Sequence, residues 1–441
     1  MAERPTVLRR DVIGWSLWDF ANTIYSMNIV SLYLKRYIVQ DLGYDDRYYD
    51  IPFSISMLLA AVLLPALGAM SDHSTKKKIF VMLFTISCCM AVGLMAYIPP
   101  SMIIAIIILF IIANFSYEAG MPFYNALLYS VADGQEARFV SGYGVAWGYV
   151  GSIVGMILVL PFVTGSLYGL DIPLVSGEGK VGAFMPTAVL FFVFSIPLFL
   201  WVKEAKVHLP KKATFVSAYR EVWEAVRQTK QYPGVLRFLI ADYFFEDAVT
   251  TVILNIGLYC SIVLGLGEEQ ITGFLIISTV SAVLGSLLIG KISEHWSLKS
   301  MLWVIMCGWV VALVTFVATE NMAVIWILGS LVGVFLGGLW TTTRPMLAEM
   351  VPRAELGRFF GLFALSGRAA AIVGPLVWTT AVYFFQPTRW LGGHTVELFN
   401  ISSVNSAKLP YKMGVLSLVI MLLVGLVIFR KVPHTGKNHH G

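Results

Sequence analysis

Apolar runs of about 20 residues recur twelve times along this 441-residue chain, each long enough to cross a bilayer as a helix. Only 13% of the residues are charged, against about 25% in soluble proteins, and 58% are hydrophobic. The chain is therefore expected to be an all-α membrane protein with twelve transmembrane helices. The runs lie at 13–38, 51–70, 79–97, 101–129, 138–163, 183–203, 237–264, 270–290, 301–319, 322–350, 359–384 and 413–430. The stretch 204–236 differs. Lys206, Lys211, Lys212, Arg220, Arg227 and Lys230 are interleaved with Phe215, Tyr219, Val222, Trp223 and Val226 at helical spacing. It reads as an amphipathic helix on the membrane surface. On this reading it links an N-terminal bundle, 1–203, to a C-terminal bundle, 237–441.

Of the 31 lysines and arginines, 22 fall on the side holding the N-terminus, 7 on the other, and Arg344 and Arg368 lie within runs. Such a bias marks the cytoplasmic side, so both termini are expected there. The first run is followed by Lys35 and Arg36 rather than by a small-residue cleavage site, which argues against a signal peptide. Cys88, Cys89, Cys260 and Cys307 sit in apolar runs without metal spacing or a disulfide framework. Neither a metal nor a cofactor is expected. The net charge of +5 fits loops facing lipid headgroups, and no basic stripe with interleaved aromatics suggests nucleic acid.

One phrase occurs twice, 222 residues apart: Gly68-Ala-Met-Ser-Asp72-His73-Ser-Thr75-Lys-Lys77 and Gly290-Lys-Ile-Ser-Glu294-His295-Trp-Ser297-Leu-Lys299. A repeat half a chain apart predicts two pseudo-symmetric six-helix bundles. Gly68 and Gly290 allow close packing at a helix end. Asp72 and Glu294 can meet the positive N-terminus of a neighbouring helix. Lys77 and Lys299 stand at the headgroup level. The phrase is expected to act as a gating latch; a plain charged loop that sets topology is the simpler alternative.

An ionisable group inside a span costs about 2.5–3.5 kcal/mol at a helix centre, so each needs a reason to be there. Asp19, Asn22 and Ser26 share a face of the first run, and Glu118 and Asn125 share a face of the fourth. Asp242, Glu246 and Asp247 crowd the seventh. Neighbours on a helix point about 100° apart, so Glu246 and Asp247 cannot face the same way. Asp247 aligns with Asp19 and is the one expected on a pathway. Asp242, a turn from the cytoplasmic end, is expected to be solvated. Arg344 lies in the tenth run, and Arg368, near the middle of the eleventh, is the ionisable group most expected on the substrate or proton pathway. A buried guanidinium has to be paired, by a protein carboxylate or by an anionic group of a substrate. Tyr25, Tyr124 and Trp340 are aromatic residues that a substrate could touch.

Several further phrases point the same way. Trp18-Asp19-Phe20-Ala21-Asn22-Thr23 opens the first run, Phe123-Tyr124-Asn125-Ala126-Leu127-Leu128 lies in the fourth, the fifth carries Gly142 through Gly148 to Gly151, and the eleventh runs from Phe359 through Gly367-Arg368 to Gly374-Pro375. With twelve runs and the repeated loop phrase, the chain resembles the major facilitator superfamily. Within it, the chain resembles the vacuolar amino-acid effluxers linked to autophagy and their bacterial relatives. His73-Ser74 departs from the superfamily loop motif, where Arg and Gly are common. The resemblance covers nearly the whole chain and implies the major facilitator fold and transport by alternating access. It also implies a cavity lined by the first, fourth, seventh and tenth helices, which places Asp19, Asn22, Glu118, Asn125, Asp247 and Arg344 on a pathway.

No nucleotide-binding loop is present, so an ion gradient has to supply the energy. No histidine lies within a run, so a proton relay would use carboxylates. The expected function is secondary active transport of a small organic solute, coupled to protons, with an amino acid or similar zwitterion implied by the resemblance. An amphiphile such as a lysolipid or apolar metabolite is the alternative substrate, and a sensor that does not transport is a third reading. Neither a nucleophile with its base nor metal-ligand spacing points to an enzyme. A monomer in membrane lipid is expected, in a bacterial inner membrane rather than an organelle. The segment 386–412 reads as a long external loop.

Overall fold

A computed structural model describes residues 9–73, 76–132, 134–171, 177–204, 215–293, 295–352 and 356–433. Its twelve long helices are α1, which begins at Arg10–Tyr25, α2 (Arg47–His73), α3 (Lys77–Met95), α4 (Ile103–Val131), α5 (Gly134–Thr164), α6 (Phe184–Trp201), α7 (Val235–Ile262), α8 (Glu268–Ile292), α9 (Leu298–Ala318), α10 (Met322–Met350), α11 (Leu356–Phe384) and α12 (Ser403–Arg430). Among the described residues ten helices, all but α1 and α2, are long and apolar enough to cross a membrane. A helix Phe215–Gln228 lies in the expected amphipathic stretch, with Trp223 exposed and the Arg220 guanidinium 3.0 Å from Glu224 one turn on.

The chain divides into two compact units, Met1–Tyr219 and Arg220–Gly441. In the first, α1 packs against α5 and α6, α2 against α4, and α3 against α4 and α6. In the second, α7 packs against α11 and α12, α8 against α10, and α9 against α10 and α12. Every major pairing of the first unit thus recurs in the second, six helices later. The glycines of the fifth run serve this packing. A Cβ on Gly151 would run into the Phe20 backbone of α1, with the Phe20 Cα 2.7 Å away, so only glycine lets the two backbones approach this closely.

Two features depart from the sequence reading. The first helix takes Lys35 and Arg36 inside it instead of leaving them after its end. It continues through wide π-helical turns, Ser26–Tyr33 and Tyr37–Asp41, on either side of Leu34–Arg36. Both cations are buried, at 2% and 1% exposure. The Lys35 ammonium lies 2.7 Å from Asp50 and 3.1 Å from Asp46, both buried carboxylates at the start of α2. Tyr49 presents its ring to Lys35 and donates its hydroxyl to the Val30 carbonyl at 2.5 Å. Wide turns change which carbonyls find partners within the helix, and a side chain from α2 supplies one here.

The second departure is the segment 386–412. It is largely helical: a short helix Trp390–Leu398 is followed by α12, which starts ten residues before the expected run. Lys408 and Lys412 made its first turns look like loop. In the structure both reach Glu320, at 3.1 and 3.4 Å, from one face of α12. The Lys408 hydrogen bond holds the Glu320 carboxyl below the ordinary carboxylate range. A lowered folded value means that the contact stabilises at neutral pH and stops doing so as the pH falls through that value. Because Glu320 is half exposed, Glu320→Gln is expected to cost at most about 1 kcal/mol. Its melting temperature should converge on that of the wild type in acid and in high salt.

Candidate functional site

In the first unit, Asp19 stands half-buried on α1 against Gly148 of α5, where an added Cβ would lie 3.6 Å from the carboxyl carbon. Four residues on, the Thr23 hydroxyl donates to the Gly148 carbonyl at 2.6 Å. Asn22 is buried; its amide meets the Met121 sulfur of α4 at 3.6 Å, and its carbonyl oxygen has no hydrogen-bond partner among the described residues. Glu118 is half-buried on α4, and Asn125 is exposed. Tyr25 and Tyr124 are fully buried between α1 and α4. Tyr25 lies 5.1 Å from the Tyr117 ring, and its hydroxyl meets Asn114 at 3.5 Å. The Tyr124 ring stacks on Trp15 and Trp18, at 4.6 and 4.2 Å, and its hydroxyl has no hydrogen-bond partner among the described residues. As placed, these two aromatics form core between the helices, whereas Trp340 is 40% exposed.

The second unit repeats this arrangement between α7 and α11. Asp247 is completely buried and accepts the Gly374 N–H at 2.7 Å; four residues on, Thr251 donates back to the Asp247 carbonyl at 2.7 Å. The common signal is an Asp followed by a Thr one turn later, at Asp19 and Thr23 and again at Asp247 and Thr251. Spacing alone could have revealed it. The asymmetry within the pair could not have been read: Asp247 is tied to α11, while its neighbour Glu246 turns toward α10. There the Trp340 indole N–H donates to Glu246 at 3.3 Å, and the charge of Arg344, one turn beyond Trp340, acts on the same carboxylate. Arg344 is exposed and makes no hydrogen bond or ion pair among the described residues. Arg368 is half-buried on α11 and is engaged by the protein.

Asp242 overturns its expectation. It is 1% exposed rather than solvated, and neither carboxylate oxygen has a hydrogen-bond partner among the described residues. The seventh helix starts at Val235 and packs against α11 and α12, so the face of its first two turns that carries Phe238 and Asp242 is already inside the unit.

The repeated phrase is described in part; the Asp72 side chain and Glu294 lie outside the described residues. Gly68 and Gly290 end α2 and α8 without close constraint, the nearest contact to an added Cβ being Thr341 at 3.5 Å from Gly290. Lys77 opens α3. Its neighbour Lys78 donates to the Val202 carbonyl at the end of α6, at 2.9 Å. Lys299 meets the Arg430 carbonyl at the end of α12, at 3.4 Å. In each unit a lysine of this loop thus closes the negative C-terminal end of that unit's last helix.

The family model described as "Vacuole effluxer Atg22 like" matches residues 48–134 and 129–382. The chain belongs to this family. The Atg22-like chain is 26% identical over 427 residues to the MFS-type transporter YxiO of Bacillus subtilis, covering 95% of this chain and 94% of that protein. It is 22% identical over 432 residues to autophagy-related protein 22 of Kluyveromyces lactis, covering 85% and 88%. Its fold matches the crystal structure of a point mutant of the nucleoside transporter NupG with a TM-score of 0.75 at 14% identity, over 95% of this chain and 99% of that one. It also matches a bacterial homologue of the lysosomal transporter Spinster with a TM-score of 0.71 at 13% identity, over 96% of each chain. The protein is an integral, multi-pass membrane transporter with the major facilitator fold, not an enzyme.

Proposed function

We propose that this transporter is a secondary carrier of a small zwitterion, an amino acid or a close analogue, driven by the proton gradient through alternating access. The observation that carries this reading is the set Glu246, Trp340 and Arg344 on α7 and α10. It combines an acid, an indole and an arginine without a committed partner. A zwitterion presents an ammonium and a carboxylate a few bonds apart. Arg344 suits the carboxylate because its planar fork can hold both oxygens. Asp19, Asn22, Glu118 and Asn125 line the corresponding path on α1 and α4. The lysine and arginine bias supports cytoplasmic termini, and the likeness to YxiO supports a bacterial inner membrane.

Counterflow tests the substrate. Purified protein in liposomes preloaded with one unlabelled amino acid at a time should accumulate the labelled form. Losing a charge-assisted hydrogen-bond pair costs about 1.5–3 kcal/mol, so Arg344→Ala is expected to lower counterflow about 10- to 100-fold. Lysine should not restore it, because an ammonium lacks the fork. Exchange of labelled lysolipids with silence across the amino acids would move the assignment to an amphiphile carrier. Full activity in Arg344→Ala would remove Arg344 from the site.

A further inference from the structure

Asp242 has no role in the binding set just described, yet it is the most anomalous polar group in its unit. Its carboxylate is buried, both oxygens lack a hydrogen-bond partner among the described residues, and Glu246 stands one turn away as the charge that acts on it. An unpaired buried carboxylate is strongly disfavoured, and a second acid beside it adds to the cost. The other charged residues on the helices packed against α7 are Arg358 and Arg368 on α11, Lys408, Lys412 and Arg430 on α12, Glu268, Glu269 and Lys291 on α8, and Arg344 and Glu349 on α10, with Arg237 and Asp247 on α7 itself. Of these, Arg344 is the one whose field acts on Glu246. α11 and α12 meet this part of α7 with Gly374, Gly425 and Phe429. Two carboxylates and one arginine sum to −1, and one bound proton closes the balance.

We propose that Asp242 and Glu246 together hold one exchangeable proton, and that this is the proton coupled to transport. The site takes a proton rather than a larger cation. Asp242 has no accessible surface, and no group of three acids, histidines or cysteines among the described residues could hold a metal ion. A proton taken up from one side adds to a carboxylate oxygen of the pair and leaves to the other side, with no other bond made or broken. While it is bound, Glu246 releases its claim on Arg344, which is then available to a substrate carboxylate. When it leaves, Glu246 takes Arg344 back and the carboxylate is expelled. This step rests on the zwitterion reading; the proton site itself does not.

Infrared difference spectroscopy across a pH jump, on the purified protein in lipid, reads the site without any substrate. The wild type should show the C=O band of a buried protonated carboxyl, and Asp242→Asn should lose it. Glu246→Gln, which removes one negative charge, should retain the band and move its titration to lower pH. It also serves as the second variant should Asp242→Asn fold poorly. In the counterflow assay Asp242→Asn should still exchange substrate, whereas uptake driven by a pH gradient should be lost. A band unchanged in Asp242→Asn, or a titration unchanged in Glu246→Gln, overturns the proposal. Wild-type counterflow without gradient-driven uptake would overturn proton coupling, and a band lost in Asp242→Asn would still establish the proton site.

Discussion

Lys35→Met is expected to destabilise the protein by about 3–5 kcal/mol, because it takes a buried cation away from two buried carboxylates. The ammonium is the cation 2.7 Å from Asp50 and 3.1 Å from Asp46, and all three side chains are at most 3% exposed. A surface pair would contribute under about 1 kcal/mol, so burial decides the magnitude. Removing the charges together should hurt less than removing one. The triple change Lys35→Met, Asp46→Asn, Asp50→Asn is expected to recover much of the loss, since neutral amides at these two positions need no ammonium beside them. Thermal melting of the purified protein in one detergent, followed by tryptophan fluorescence, compares the three proteins. Lys35→Met melting with the wild type would mean that the cluster is solvated and the buried ion pair is wrong.

Gly374→Ala is the second large effect. Its Cβ would collide with the Thr251 hydroxyl and lie 2.6 Å from Asp247 Oδ1, the atom that accepts the Gly374 N–H. Overpacking costs about 1–3 kcal/mol. Leaving this buried hydrogen bond unmade adds about 1–3 kcal/mol. The matching position in the first unit provides the control. A Cβ on Gly148 would meet Thr23 at 3.3 Å and Asp19 at 3.6 Å, contacts that small side-chain shifts relieve. Gly148→Ala is therefore expected to lower the melting temperature far less than Gly374→Ala. Equal effects would contradict the tighter α7–α11 contact.

The span boundaries were legible because hydrocarbon thickness imposes a length that loops of Lys, Asp and Gly punctuate; eleven of the helices lie within a few residues of their runs. The twofold organisation was legible in the repeated phrase and reappears in the helix pairings. What could not be read depends on where helices turn their charges. Lys35 and Arg36 resemble a headgroup anchor in sequence, and only α2 folding back with Asp46 and Asp50 makes burial of Lys35 affordable. Lys408 and Lys412 look like loop until Glu320 is seen beside them. Asp242 sits near a helix end in sequence but under α11 and α12 in space. Glu246 and Asp247 are adjacent, and the choice between α10 and α11 is set by tertiary packing.

The central claim, carriage of a zwitterion coupled to protons, is tested most directly by liposomes that enclose a pH-sensitive dye. Amino acids are added one at a time to vesicles containing the purified protein, with no imposed gradient. The account predicts that at least one amino acid moves protons with it, changing the internal pH at a rate that Arg344→Ala and Asp242→Asn both abolish. An amino acid that crosses, as shown by its label, while the internal pH stays constant would contradict it.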